Sequence, residues 1–187
     1  MKNIVIYYTD VFTGKGSHDL LIKAACDYAA VRPSDIRLFS ERGKKPFFSV
    51  PGKVSFSISH SDNIWACSFC DSETGFDIQR KKVSTLTHLK ISKRFFSLRE
   101  FEFILNSAEP SEEFFRIWTK KEAAVKLLGT GIDENFKMFD TISTGFTVNG
   151  LQIQAENINT PFLKDFEAAL ACNQDFKYEW KKCKRHV

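Results

Sequence analysis

Nothing in these 187 residues spells a disulfide framework, a zinc finger or a membrane span. The five cysteines, Cys26, Cys67, Cys70, Cys172 and Cys183, are odd in number and irregularly spaced, so no set of paired bridges accounts for them. The lone CxxC, Cys67 to Cys70, lies in an alternating, strand-like stretch and lacks the second CxxC of a tetrahedral site, which favours buried thiols over zinc. No apolar run approaches the roughly 20 residues a membrane helix needs. Asp10 interrupts the N-terminal stretch where a secretion signal stays hydrophobic. Low-complexity tracts and legible internal repeats are absent, and no RNA- or DNA-binding motif accompanies the short basic tail "KKCKRHV", whose ordinary reading is a solvated charge run. These absences set aside secreted, membrane, repeat and nucleic-acid-binding classes, and they make a reducing cytoplasm the expected home.

The residues present describe a globular chain. With 43% hydrophobic and 27% charged residues, the length suits one folded unit or two small ones sharing an interface, and nineteen phenylalanines supply much of its core. A formal charge of +4 suits a polyanionic ligand such as a nucleotide, or an acidic protein partner.

Along the chain, "KNIVIYY" reads as a strand, followed by a helix that Ser17 would cap. "RPSD" breaks the chain, "IRLFS" reads as a short strand, and "ERGKKPFFSVPGK" as a loop marked by Gly43, Pro46, Pro51 and Gly52. In "VSFSISHS", Val54, Phe56 and Ile58 alternate with Ser55, Ser57 and Ser59, the pattern of a strand. "NIWACSFC" and "GFDIQ" follow after short loops, which predicts a three-stranded antiparallel meander. "SLRE" from Ser97 to Glu100 matches a capping box, and a longer helix is expected after Pro110, capped by Ser111 and stopped by Gly129. Asn149-Gly150 reads as a hairpin turn, and "FEAALAC" as a further strand. Strands, then helices, then strands give an α+β protein.

Two polar constellations stand out. In "GFDIQ", Phe76 and Ile78 face one way and Asp77 and Gln79 the other. A solvated sheet face is the plain reading of that pair. In "SEEFFRIWTKKEAAVKLLG", an apolar stripe runs through Phe114, Trp118, Val125 and Leu128, and Lys121 falls on it; Trp118, Glu122 and Lys126 share the neighbouring face. An exposed Glu122/Lys126 pair is the plain reading there, yet a lysine within a buried stripe needs an anion. Asp77 and Glu122 together would suit magnesium, which takes one or two carboxylates with phosphates and water.

The ordered series "GKKP", "FSISHS", "GFDIQ", "RFFSLREFEFI" and "FFRIWTKKEAAVKLLGTGI" resembles the 4′-phosphopantetheinyl transferases of the surfactin-synthetase type. That family reads approximately G-K-P, F-N-[IL]-S-H-S, G-[IV]-D-[IV]-E, R-F-F-[ST]-x-x-E and W-[ST]-x-K-E-[SA]-x-x-K-x-x-G-x-G. The resemblance implies two similar α+β halves related by a pseudo-twofold axis, here residues 1–74 and 75–187, with the active site between them. It implies transfer of the phosphopantetheine arm of coenzyme A to a serine of an apo acyl- or peptidyl-carrier protein, releasing 3′,5′-ADP, by a magnesium-dependent enzyme whose two-half fold allows a monomer.

By the same resemblance Asp77 and Glu122 match magnesium ligands, and Glu122 also the general base for the carrier serine. Lys121 and Lys126 match lysines on the coenzyme A phosphates, Ser59 and His60 the 3′-phosphate end, and Lys45 and Pro46 the loop against the nucleotide. Two departures stand out. Gln79 replaces the family glutamate of G-x-D-I-E, leaving an amide oxygen as the available ligand atom. The N-terminal part is shorter than usual, with Lys15 the nearest match to its basic residues and Asp19 of the wrong sign. A non-catalytic relative that binds coenzyme A or a carrier protein is the alternative those departures raise; the joint retention of Asp77, Lys121, Glu122 and Lys126 speaks for catalysis.

Overall fold

The computed structural model describes residues 1–50, 52–82, 84–131, 134–162 and 164–183, with only the backbone of 134–135. Pro51, Ile132 of the last motif and the tail beyond Cys183 lie outside the described residues. The elements form an α+β fold built from two four-stranded sheets. The first sheet contains β1 (Lys2–Thr9), β4 (Ser55–Ser61), β5 (Ile64–Cys70) and β10 (Phe176–Lys182), in the order β10-β1-β5-β4. The second contains β6 (Thr74–Arg80), β7 (Gly145–Val148), β8 (Leu151–Asn157) and β9 (Phe166–Cys172), in the order β6-β9-β8-β7. A small ribbon joins β2 (Arg37–Phe39) to β3 (Phe47–Ser49). Helix α1 is Ser17–Ala29, α2 Thr85–Phe95, α3 Leu98–Leu105 and α4 Pro110–Leu128.

Strand periodicity distributes the core into three layers. In β1, Ile4 and Ile6 face the second sheet, meeting Phe76, Ile78 and Leu170, while Tyr7 faces α1 with Leu21 and Ala25. On the far side of the second sheet, Ala155, Ala169 and Ala171 take the weight of α4 through Ile117, Ala123 and Ala124. Small side chains on both surfaces let the helix lie close to the strands. The molecule is therefore layered as helix, sheet, sheet and helices.

The expected meander stops after two strands. β4 and β5 pair as an antiparallel hairpin, but β6 leaves to pair with β9. The edge of β6 that a neighbouring strand would occupy is met instead by serine hydroxyls of β4. Thr74 N donates to Ser55 Oγ at 3.4 Å, Phe76 N to Ser57 Oγ at 2.9 Å and Arg80 N to Ser61 Oγ at 2.9 Å. The serine face of β4 is thus a seam joining the sheets, and its polar atoms satisfy backbone groups that would otherwise be buried without partners.

Other differences are local. The stretch expected as loop contains β3, and α2 was not anticipated. Helix α4 begins at Pro110, a favoured first position, with Glu109 before it, while Ser111 Oγ bonds His88 Nδ1 at 3.0 Å. Ser17 opens α1 but accepts from Trp65 Nε1 at 2.8 Å rather than capping the helix. The capping box at Ser97 and Glu100, the left-handed Gly129 after α4 and the Asn149-Gly150 turn all form. The split at 74/75 falls where β6 begins, but β10 returns to the first sheet. Among the described residues no helix is long and apolar enough to cross a membrane.

Candidate active site

The site begins with a missing side chain. A Cβ on Gly75 would lie 1.8 Å from the Ala123 carbonyl oxygen and 2.7 Å from Leu127 N, so only glycine lets the backbone of α4 rest flush on β6. That contact brings the Glu122 and Lys126 side chains, one helical turn apart, over Asp77 two residues along the strand.

Asp77 is almost wholly buried, as a carboxylate must be only when well partnered. Its Oδ1 accepts from Lys126 Nζ and from Ser59 Oγ, both at 2.7 Å, and its Oδ2 accepts from Gln79 Nε2 at 3.3 Å. The polar face of "GFDIQ" is accordingly the floor beneath α4. Glu122 shares this region. Burial and the charge of Asp77 push its pKa up to about 7, against the opposing pull of Lys126.

Two carboxylates facing one ammonium leave an excess of negative charge in a partly dry place. Among the described residues no cluster of three or more His, Cys, Asp or Glu side chains could hold a metal. The Asp77/Glu122 pair still fits magnesium, which binds through one or two carboxylates and completes its shell with phosphate and water.

A cleft of about 460 Å³ opens beside this pair, lined by Lys45, Pro46, Ile58, Glu122, Lys126 and Gly129 among others. Lys45 Nζ donates to Thr74 O at 2.7 Å and to Glu73 Oε2 at 3.3 Å, while burial lowers its pKa. Four of the residues singled out in the sequence, Lys45, Pro46, Glu122 and Lys126, therefore share one wall-to-wall space. His60 is exposed at the end of β4, its ring 5.6 Å from that of Phe12. Ser59 is buried with its hydroxyl turned to Asp77, where it positions the carboxylate.

Lys121 does not line this cleft. It has no exposed surface, and its Nζ donates to Glu100 Oε2 at 2.9 Å and to Phe139 O at 2.7 Å, with the Phe139 ring centroid 4.2 Å away. Its pKa is lowered by burial, against the pull of Glu100. A lysine in the buried stripe needs an anion, and the anion beside it is Glu100. Glu100, legible in the sequence only as the end of a capping box, and Gly75 are structural determinants of this region. A glycine inside a strand signals close backbone approach, and that signal was there to be read.

A family model described as the 4′-phosphopantetheinyl transferase superfamily matches residues 73–178. The chain is similar to the 4′-phosphopantetheinyl transferase Sfp of Bacillus subtilis (strain 168), 29% identical over an alignment of 154 residues that covers 76% of this chain and 66% of that one. It is 34% identical over 118 residues to the 4′-phosphopantetheinyl transferase gsp of Aneurinibacillus migulanus, covering 61% of this chain and 47% of the other. Against the 4′-phosphopantetheinyl transferase HetI of Nostoc sp., identity is 34% over 113 residues, with 56% and 46% covered. The chain spans about half to two thirds of the length of these curated relatives.

Proposed function

The chain belongs to the 4′-phosphopantetheinyl transferase superfamily, and we propose that it moves the 4′-phosphopantetheine arm of coenzyme A onto a serine of an apo acyl- or peptidyl-carrier protein. The observation that carries this reading is Glu122, a carboxylate with its pKa pushed up to about 7 in the wall of a lysine-lined cleft. A base is most effective when its pKa lies near the working pH.

In this reaction Glu122 accepts the proton of the carrier serine, directly or through a water. The serine oxygen forms a bond to the phosphorus that bears the pantetheine arm, the pyrophosphate P–O bond breaks, and 3′,5′-ADP leaves. Lys126 offsets charge that builds on the departing phosphate, and Lys45 and Pro46 hold the nucleotide side of the cleft. His60, exposed on β4, is assigned to the 3′-phosphate. Phosphoryl transfer asks little more of a protein than positioning and charge neutralisation.

Asp77 and Glu122 are the residues that would hold magnesium, with Gln79 able to contribute its amide oxygen once turned from its present donation to Asp77. When bound, the ion supplies positive charge to the pyrophosphate. Ser59 and Lys126 keep Asp77 oriented for that role. A cleft contained within one chain supports action as a monomer, and free cysteines suit a reducing cytoplasm.

The test is incubation with coenzyme A, magnesium chloride and a panel of apo carrier proteins, followed by intact mass. Modified carrier is expected with the native protein, and a rate lower by about 10²–10⁴-fold with Glu122→Gln. A folded native protein that modifies no carrier, or a Glu122→Gln protein as fast as the native one, would overturn the assignment.

A further inference from the structure

Helix α1 covers only part of the outer face of the first sheet. Its buried side, Leu21, Ala24 and Ala25, packs into the layer of Trp65, Cys67 and Phe69 on β5, two strands in from the β10 edge. Tyr7 of β1 and its register partner Lys181 of β10 stand beside the helix rather than beneath it. Between the flank of α1 and these two strands lies a cavity of about 640 Å³. No residue lines both this cavity and the cleft that holds Glu122. Its size is that of a small-molecule site, where mostly apolar walls carry a few polar groups that fix orientation.

The apolar wall is made by Phe12, Leu20, Ala24 and Val31. Leu20, Lys23, Ala24 and Asp27 follow helical spacing, so one flank of α1 presents apolar and charged groups side by side. At the polar end Tyr7 is buried, and its hydroxyl donates to Asp27 Oδ2 at 2.5 Å. Lys181 Nζ donates to the same carboxylate and, at 3.4 Å, to the Tyr7 oxygen. Asp27 is therefore already met by a cation and a hydroxyl. Lys182 donates to Asp10 Oδ2 at 2.7 Å. Lys15 and Lys23 also line the cavity, and neither makes an ion pair with a described residue. The charge left over around this space is positive.

We propose that the cavity binds an anionic single-chain amphiphile, a fatty carboxylate, with its alkyl chain along Leu20, Ala24 and Val31 and its head at Lys23. The alkyl chain removes water from the apolar wall. The carboxylate supplies the anion that Lys23 lacks, while Asp27 keeps its own partners. A cationic head would meet lysines instead, and a head without charge would leave them as they are.

The cavity carries its own reporters. Cys26 and Cys183 line it and are half-buried, whereas Cys67, Cys70 and Cys172 are buried. With the whole chain at mildly alkaline pH, N-ethylmaleimide should label Cys26 and Cys183 first, as located by peptide mapping. Sodium dodecanoate, kept below the concentration at which it forms micelles, should slow both reactions and leave the buried three unlabelled. Calorimetry should give one dodecanoate per chain and weaker binding of dodecyltrimethylammonium. Lys23→Glu, a change at an exposed position, should weaken dodecanoate by about tenfold. Ala24→Leu should abolish binding by filling the wall, and Lys23→Glu decides the matter if that variant does not fold. Saturating coenzyme A should leave the labelling of Cys26 and Cys183 unchanged, which separates this cavity from the transferase reading. Absence of both protection and heat with dodecanoate, equal binding of the cationic amphiphile, or protection by coenzyme A alone would overturn the proposal. Unreactive Cys26 and Cys183 in protein without additive would show a space already filled, and would overturn it equally.

Discussion

Lys121 and Lys126 stand on one helix, each within 3 Å of a carboxylate, at 2.9 Å from Glu100 and 2.7 Å from Asp77. Around Glu100 the donors are complete: Ser97 N at 2.9 Å, Lys121 Nζ at 2.9 Å, Thr141 N at 2.8 Å and Thr141 Oγ1 at 3.0 Å. One negative charge meets one positive charge, and aromatic rings close the surroundings. Around Asp77 the donors are also in place, but Glu122 adds a second carboxylate that Lys126 does not neutralise. The first arrangement ties α3, α4 and the chain at Thr141 together. The second keeps a carboxylate at the edge of ionisation beside a cleft. Chemical potential here comes from the charge left over.

Breaking the closed pair should have the largest effect. Lys121→Met leaves the Glu100 carboxylate buried without its cation, and removing one member of such a pair typically costs about 3–5 kcal/mol. Urea unfolding measures it, and Lys121→Met combined with Glu100→Gln should recover part of the loss. Lys126→Met should cost less, because Lys126 is partly solvated and Asp77 keeps Ser59 and Gln79.

Next comes Gly75→Ala, which forces α4 away from β6. Overpacking of this kind costs about 1–3 kcal/mol. Because the shift separates Glu122 and Lys126 from Asp77, the transfer rate should fall further than the same loss of stability at a distant site would explain. Equal effects on rate at matched stability would detach the glycine from the site.

The open pair should also register in pH. The folded-state pKa of Glu122 is raised above its ordinary value of 4.5 to about 7, so the folded protein binds the proton more tightly than the unfolded chain. That contribution to stability is complete below pH about 4.5 and is lost as pH rises through about 7. Unfolding free energies of metal-free native protein and Glu122→Gln, compared across this window, should show the slope only in the native protein. Magnesium chloride should flatten it, since a bound cation favours the ionised carboxylate. Parallel curves would mean that Glu122 titrates normally.

The smallest change sharpens the comparison by adding charge. Gln79→Glu places a further carboxylate on the strand face of Asp77, and the magnesium concentration for half-maximal transfer should drop. A tenfold drop corresponds to about 1.4 kcal/mol. Turnover at saturating metal need not rise, because equal stabilisation of ground and transition states leaves the barrier unchanged. Gln79→Ala should leave the requirement equal or higher; three superimposable curves would put residue 79 outside the metal's reach.

Much of this was legible because it is local. Alternation marked β4, the capping box marked α3, and helical spacing placed Lys121 on the buried stripe and Glu122 beside Lys126. What escaped depends on partners distant in the chain. The pairing of β6 with β9 brings together residues such as Asp77 and Ala169, and nothing near "GFDIQ" announces it. The serines of β4 read only as the alternate positions of a strand because their partners are backbone amides of another sheet. The partner of Lys121 is hidden for the same reason: the stripe shows that an anion is required, and only the fold brings Glu100 to it.

The pairing of β1 with β10 sets an order of events in time. Lys2 aligns with Phe176 and Tyr8 with Lys182 in a parallel ladder, so one edge of β1 stays unpaired until β10 has left the ribosome. At typical elongation rates of about 5–20 residues per second, that edge waits on the order of ten seconds. An apolar strand with a bare edge is a template for misplaced pairing with other nascent chains. Strand β1 is thus made well before it can be completed, and its maturation is tied to the arrival of β10.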